Sequence, residues 1–271
     1  MTSSEITRKA KSNLAFALHI LPRERREDMV VFYAYCRVID DIADEESRPV
    51  AQRISDLQAW RHGLENGFAA PTAFEQEVIA LQKKYAIPTD LLVAIIDGCM
   101  MDTSPQRFQT WQELQGYTWK VACAVGLISL KLFGAIDPQS ESYAVALGHA
   151  LQLTNILRDI GEDIDNGGRM YLPLADLQQF GLSEVDLMQK TYDDRFVALM
   201  KHEAARAQSL YEEAHQNLPT GDRKALMAAE VMREIYQTVL EQMQADGFRV
   251  FEKRYSLSSF RKMAILAKHM I

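Results

Sequence analysis

The chain has 271 residues, of which 48% are hydrophobic and 25% charged, and its formal net charge is −7. This length can bury a substantial core, and the acidic balance excludes general nucleic-acid binding, which needs a basic surface. Cys36, Cys99 and Cys123 are odd in number and form no C-x-x-C pair. We therefore predict a reduced setting and a cytoplasmic protein. The longest apolar run, residues 121–130, is too short to span a bilayer.

Helical periodicity and capping residues organise the first half of the chain. Pro22 stands where a helix tolerates proline, in its first turn, and Thr89 is expected to cap the helix that it begins. The pattern predicts helices over residues 3–21, 22–45, 51–67, 72–85, 89–101 and 111–133.

The second half follows the same period. Predicted helices cover residues 142–163, 174–181, 183–188, 193–217, 223–245 and 248–271. We find no strand alternation and no internal repeat of solenoid length. The sequence therefore predicts an all-α protein, with residues 1–271 forming a single domain.

A polar face runs along the otherwise apolar helix at 142–163. Helical spacing places four residues on this face: Gln152, Asn155, Asp159 and Asp163. Carboxylates one turn apart in a buried helix repel each other and are costly to desolvate, so the face predicts a bound cation. Arg158 either neutralises these carboxylates or binds phosphate oxygens.

The stretch YAYCRVIDDIAD at residues 33–44 has the same design. Asp40 and Asp44 are four residues apart, with Asp41 beside them and with Tyr33 and Arg37 on roughly the same face. A solvated helix face is the simpler interpretation of Asp40 and Asp44 taken alone, whereas the apolar residues around Asp159 and Asp163 make the second motif stronger evidence. Two such helices together predict a shared site.

Aspartates without histidine or cysteine favour Mg²⁺, or Mn²⁺, over zinc. Magnesium commonly bridges carboxylates to substrate phosphates, so we predict a ligand with a hydrophobic chain and a diphosphate head group. Metal-assisted loss of diphosphate would leave an allylic carbocation in a dry cavity. The expected walls of that cavity are Phe16, Phe32, Tyr33, Tyr117, Trp119 and Leu153.

Common catalytic signatures such as G-x-G-x-x-G, the P-loop and H-E-x-x-H are absent from the sequence. A di-iron bundle needs two E-x-x-H motifs, and only Glu212 and His215 form one. We expect His215 to be a surface residue.

Three stretches resemble the squalene/phytoene synthase family, the head-to-head prenyl synthases. They are YAYCRVIDDIADE at 33–45, GYTWKVACAVG at 116–126 and LQLTNILRDIGEDIDNGGRMYLP at 151–173. The resemblance implies a helical isoprenoid-synthase bundle around a central cavity. It also implies two aspartate-rich motifs that bind Mg²⁺ and the diphosphates of two allylic substrates.

Carried over residue by residue, the resemblance gives the metal ligands Asp40, Asp44, Asn155, Asp159 and Asp163. It assigns to the substrate region Tyr33, Arg37, Tyr117, Gln152, Asn155, Arg158, Arg169 and Tyr171. Asp102 falls where relatives often carry an acid near the metals. Family members often have a Ser-Phe pair near the N-terminus, whereas residues 12–14 here read Ser-Asn-Leu.

The resemblance implies that two prenyl diphosphates join through a cyclopropylcarbinyl diphosphate. We expect farnesyl diphosphate as the substrate and presqualene diphosphate as the product. Hydride from NADPH would carry the reaction on to squalene, and NADPH use stays open; without it, a downstream squalene-forming enzyme is the implied partner.

The alternatives within the same fold are phytoene or dehydrosqualene synthesis, chain elongation and terpene cyclisation. The stretch NILRDIGED does not match the second D-D-x-x-D of elongating enzymes. A non-catalytic prenyl-lipid-binding protein would not need aspartates at both motifs.

The C-terminal stretch 253–271 contains basic and apolar residues but no acid. Its cations are Lys253, Arg254, Arg261, Lys262 and Lys268. Such a segment can lie on an anionic membrane, so one interpretation is peripheral contact with the inner membrane face. A helix packed on the bundle is the alternative that we prefer from the sequence alone.

Overall fold

The computed structural model describes residues 3–7 and 20–270, and every regular element within these ranges is helical. The all-α prediction is confirmed. Most of the predicted first helix lies outside the described residues, as do Phe16 and the stretch at residues 12–14.

The first seven helices mostly follow the predicted boundaries. They are α1 (Ser3–Thr7), α2 (Arg23–Asp44), α3 (Val50–Asn66), α4 (Ala73–Lys84), α5 (Thr89–Met101), α6 (Trp111–Thr118) and α7 (Ala124–Phe133). Pro22 precedes α2, and Thr72 forms a capping box with Glu75 at the start of α4. The predicted cap at Thr89 is wrong, because Pro88 holds the N-cap position and the Thr89 hydroxyl instead accepts a hydrogen bond from Gln82.

The predicted helix at 111–133 is interrupted by a π-helical segment, Trp119–Cys123. A Cβ atom added to Gly148 would lie 2.8 Å from the Cα of Cys123 in this segment. Glycine therefore allows the two backbones to approach closely. Such π segments widen one turn of a helix and often occur at functional sites.

The second half contains α8 (Gln139–Asp165), α9 (Leu174–Gln179), α10 (Glu184–Met188), α11 (Asp194–Asn217), α12 (Met227–Ala245) and α13 (Ser259–Met270). The central helix α8 packs along α11, the π segment, α7 and α12. Leu153 and Leu157 of α8 are fully buried. Burial of one side of α8 against several helices fixes the direction of its polar face.

The predicted helix at 248–271 is wrong in its first part, because only Ser259–Met270 is helical. Gly247 and Phe248 adopt φ values of 68° and 59°, which end α12 and redirect the chain. The hydroxyl of Tyr255 then donates to Asp246 and accepts from the backbone N–H of Arg249. This bonding holds residues 246–255, here called the C-terminal loop, in a compact turn.

Asp222 anchors the start of α8. Its buried carboxylate accepts hydrogen bonds from the backbone N–H groups of Ile136 and Asp137, at 2.9 and 2.8 Å, and from the Ser140 hydroxyl at 2.7 Å. These bonds hold the pKa of Asp222 below its usual range, against the effect of burial. None of the helices in the described ranges has the length and apolarity needed to cross a bilayer.

Candidate active site

Arg169 connects the two aspartate motifs. Asp40 and Asp44 lie in the last turns of α2, and Asp159 and Asp163 lie in the last turns of α8. The Arg169 guanidinium is 2.6 Å from a carboxylate oxygen of Asp44 in the first motif. The backbone N–H of Arg169 donates to the backbone carbonyl of Asp163 in the second motif, at 2.9 Å. The two motifs therefore meet in one region, as the sequence predicted.

Asp102, at the end of α5, is the third acidic component of this region. Its two carboxylate oxygens accept hydrogen bonds from the hydroxyls of Tyr117 and Tyr171, each at 2.8 Å. The two tyrosine rings stack with centroids 5.2 Å apart. Two residues predicted to bind substrate thus position a carboxylate beside the aspartate motifs.

Negative charge in this region exceeds what the arginines neutralise. Burial, with the nearby charge of Asp44, raises the pKa of Asp40 to about 6. Burial raises the pKa of Asp163 to about 7, with Asp159 adding to the effect. Burial also raises the pKa of Asp102 to about 6. Carboxylates that resist ionisation in this way would be stabilised by an added cation.

Asp159 differs from its neighbours because two arginines hold it. Arg158 forms a bidentate pair with Asp159, at 2.8 and 2.5 Å, and also interacts with Tyr236. Arg254, in the C-terminal loop, adds contacts of 3.1 and 3.2 Å to the same carboxylate. Sequence spacing did not identify Arg254 as a site residue, because 95 positions separate it from Asp159.

The first motif is more open. Arg37 pairs with Asp40 at 3.1 Å and with Asp41 at 2.6 Å, and about half of its side chain is exposed. Tyr33 is half-buried one turn before it. Arg37 is therefore accessible to a ligand that approaches the end of α2.

Asn155 provides a test of whether a metal fits. Its Oδ1 atom is buried and has no hydrogen-bond partner within the described part of the chain, while its amide donates to Gln152 at 3.4 Å. Asn155 lies one helical turn before Asp159 on the same face. An unpaired amide oxygen one helical turn from a carboxylate provides the oxygen ligands that Mg²⁺ or Mn²⁺ prefers, so the residues fit such an ion.

An apolar cavity of about 200 Å³ begins at Gln152 and Asn155 and extends away from the aspartates. Its other walls come from residues 121–133, 143–151 and 228–236. The predicted walls were largely wrong. Phe32 and Leu153 are in the closed core, and Trp119 is 37% exposed at the surface. Which apolar residues face the cavity depends on how each helix is rotated about its axis, and the sequence alone does not show that rotation.

A second, outer cavity of about 430 Å³ lies beyond the far end of the apolar cavity. It is bordered by the start of α2, the turn after α7 and the start of α12. Phe133 and Ala228 line both cavities. Phe133 is the larger of these two side chains, and we interpret it as the main barrier between the cavities.

A separate polar cluster joins α9 to α11. The potential ligand atoms of Asp176, His202 and Glu203 lie within 4.8 Å of one another. Arg206 already fills the position of a cation, because it contacts Asp176 at 2.9 Å and Glu203 at 2.5 Å, and it stacks over Trp111. We interpret this cluster as structural. His215 is exposed, as predicted.

The carboxylates of the two aspartate motifs are more dispersed. No three acidic, histidine or cysteine side chains of the motifs, within the described residues, bring their ligand atoms within 4.8 Å. A cage made only of protein ligands is thus not preformed. This dispersion matches Mg²⁺ chemistry, in which one or two carboxylates share the ion with substrate phosphates.

Comparison with known proteins places this chain in a family. The family model of squalene/phytoene synthase matches residues 7–261. The chain is 32% identical to a 15-cis-phytoene synthase of Synechocystis sp., over 97% of this chain and 82% of the relative. It is 33% identical to a presqualene diphosphate synthase of Rhodopseudomonas palustris, over 96% of this chain and 93% of the relative.

The crystal structure of a squalene synthase from Alicyclobacillus acidocaldarius superposes with a TM-score of 0.81 at 26% identity, covering 91% of this chain and 93% of that one. The chain therefore belongs to the squalene/phytoene synthase family, which condenses prenyl diphosphates head-to-head, and it is a synthase of the prenyltransferase type.

Proposed function

We propose that this enzyme condenses two molecules of farnesyl diphosphate into presqualene diphosphate in a Mg²⁺-dependent reaction. The observation that carries the proposal is the position of Asn155, which lines the apolar cavity and lies one turn from Asp159. A single helix face therefore passes from an apolar channel to an acidic cluster. This arrangement suits a hydrocarbon chain with a diphosphate head.

Asp40 and Asp44 on one side, and Asn155, Asp159 and Asp163 on the other, would hold the metal ions. When bound, Mg²⁺ supplies charge neutralisation for the departing diphosphate. Mn²⁺ has similar ligand preferences and is the expected substitute.

The arginines of the site would bind the diphosphate oxygens directly. Arg37 and Arg254 are accessible, and Arg169 spans the two motifs. Guanidinium groups suit this role because their planar fork matches phosphate oxygens. Arg158 and Arg254 would then exchange Asp159 for phosphate as substrate enters. The apolar walls would keep water away from the reacting carbons.

The barrier at Phe133 supports the shorter farnesyl chain. The relative named presqualene diphosphate synthase is matched over 93% of its length, which supports the same product here. The second candidate is phytoene synthesis from a longer prenyl diphosphate, because a phytoene synthase is 32% identical. Dehydrosqualene or squalene would require the reaction to continue beyond presqualene diphosphate.

A product assay tests the proposal. Purified enzyme would receive farnesyl or geranylgeranyl diphosphate with Mg²⁺, with and without NADPH, and EDTA would serve as the control. Mass spectrometry would follow extraction before and after phosphatase treatment. We expect presqualene alcohol only after phosphatase, which implies a downstream squalene-forming partner. Squalene formed only with NADPH would place both half-reactions here. The absence of a metal-dependent product from either substrate, with folded enzyme, would contradict the proposal.

A further inference from the structure

An apolar stripe faces solvent on the last helix, α13. Phe260 is 83% exposed, Met263 52% and Met270 67%. Helical spacing places these three side chains on one side, together with the exposed Ala267. The opposite side is buried through Ile265 and Leu266. The helix thus has two apolar faces, and only one of them contacts the bundle.

Positive charge flanks this stripe on one side. Arg261 and Lys268 are seven residues apart and lie on the flank of the stripe, and residues 253–270 contain no acidic residue although the whole chain carries a net charge of −7. Lys268 also pairs with Glu234 on α12, at 2.8 Å. The side chain of Arg261 has no ion-pair partner among the described residues. Exposed apolar side chains flanked by cations are complementary to an anionic bilayer surface.

Contacts near both ends of α13 connect it to elements of the candidate active site. Arg254, five residues before α13, contacts Asp159 in the site. His269 and Lys268 dock the other end of α13 on Glu234 of α12, the helix that lines the apolar cavity. A membrane that binds α13 would therefore lie beside the helix that lines the cavity.

We propose that the exposed face of α13 is a docking surface for anionic lipid bilayers. Phe260, Met263 and Met270 enter the headgroup region, and Arg261 and Lys268 contact lipid phosphates. The docking depends on this helix and its charges, and it does not depend on which prenyl product forms.

Vesicle co-sedimentation tests the proposal with the full chain. Vesicles of phosphatidylcholine with about one-third phosphatidylglycerol are compared with pure phosphatidylcholine vesicles. We expect binding to the anionic vesicles that weakens as salt increases. The double variant Phe260→Ser/Met263→Ser should bind about a hundredfold more weakly, at about tenfold for each buried apolar side chain. Val185→Ser is the matched control, because Val185 is 60% exposed on α10, and it should bind like the native chain.

Thermal melting of both variants checks the fold, which should be unchanged because the substituted side chains are exposed. Equal vesicle binding by the double variant and the native chain would overturn the proposal. Absence of binding by the native chain would also overturn it. Sedimentation velocity provides a further test, since a dimer that dissociates in the double variant, without lipid binding, would make the stripe an interface between two copies.

Discussion

Replacing Phe133 with alanine should join the apolar cavity to the outer cavity and lengthen the prenyl chain that the enzyme accepts. Phe133 is 7% exposed and lines both spaces, whose volumes are about 200 and 430 Å³. Removing the ring would open the far end of the apolar cavity. The longer geranylgeranyl chain could then extend into space that is now blocked.

The expected change in substrate specificity follows from the space that the five additional carbons of geranylgeranyl diphosphate would gain. One methylene that finds space in an apolar pocket is worth about 1–3 kcal/mol in specificity. Even the gain of one methylene would change the ratio of kcat/KM values, geranylgeranyl over farnesyl diphosphate, by about tenfold. Phe→Ala in a core costs about 3–5 kcal/mol of stability, and we expect the lower end because Phe133 already borders empty space.

The assay is competition between the two substrates, with products separated by mass. Leu132→Ala is the matched control, because Leu132 is fully buried on the same helix and lines neither cavity. It should lose a similar amount of stability, about 2–5 kcal/mol, without changing the substrate ratio. If both variants melt early and neither changes the ratio, Phe133 is not the barrier and the reasoning is refuted.

Three further predictions concern stability. Asp222→Ala should cost about 3 kcal/mol in urea unfolding, because two backbone N–H groups and the buried Ser140 hydroxyl lose a charged acceptor. Asp137→Ala should cost much less, because Asp137 is exposed. Gly161→Ala should destabilise the fold by about 1–3 kcal/mol, because the added Cβ would lie 2.9 Å from a carbonyl oxygen of the C-terminal loop. Gly116→Ala is the control and should be neutral or stabilising, because an added Cβ there would have no neighbour within 4 Å. Equal melting temperatures for the two variants would contradict this contrast. Burial raises the pKa of Glu203 to about 8. Between the ordinary pKa of a glutamate and about 8, Glu203 is ionised in the unfolded chain but keeps its proton in the folded chain. The free energy of unfolding therefore falls as pH rises, by at most about 1.4 kcal/mol per pH unit. Glu203→Gln should remove this fall, and an unchanged slope between pH 5.5 and 8 would exclude the assignment.

The sequence predicted the helices and the two aspartate motifs because both depend on local spacing. Periodicity alone was sufficient to place Asp159 and Asp163 on one face of α8 and Asp40 and Asp44 on one face of α2. Their meeting through Arg169 is the long-range result, and the predicted motif segments contain the residues involved.

Features that depend on tertiary packing were not predictable in this way. The cavity walls depend on which helices border the cavity and on how each is rotated about its axis. Phe32 on α2 and Leu153 on α8 were therefore assigned incorrectly. The π segment at Trp119–Cys123 has no simple sequence signal. Arg254 reaches Asp159 only because Gly247 and Phe248 redirect the chain after α12.

The central claim is that the two motifs form one metal-dependent diphosphate site. The most direct test compares Asp163→Asn with Asp165→Asn, two residues away on α8, where Asp165 pairs with Lys190 at the surface. Turnover of farnesyl diphosphate at saturating Mg²⁺ should fall by about a thousandfold in Asp163→Asn, which corresponds to about 4 kcal/mol. It should change by less than about twofold in Asp165→Asn. Asp163→Asn should melt no earlier than the native chain, since it removes a carboxylate that resists ionisation. Full activity in folded Asp163→Asn would contradict the account.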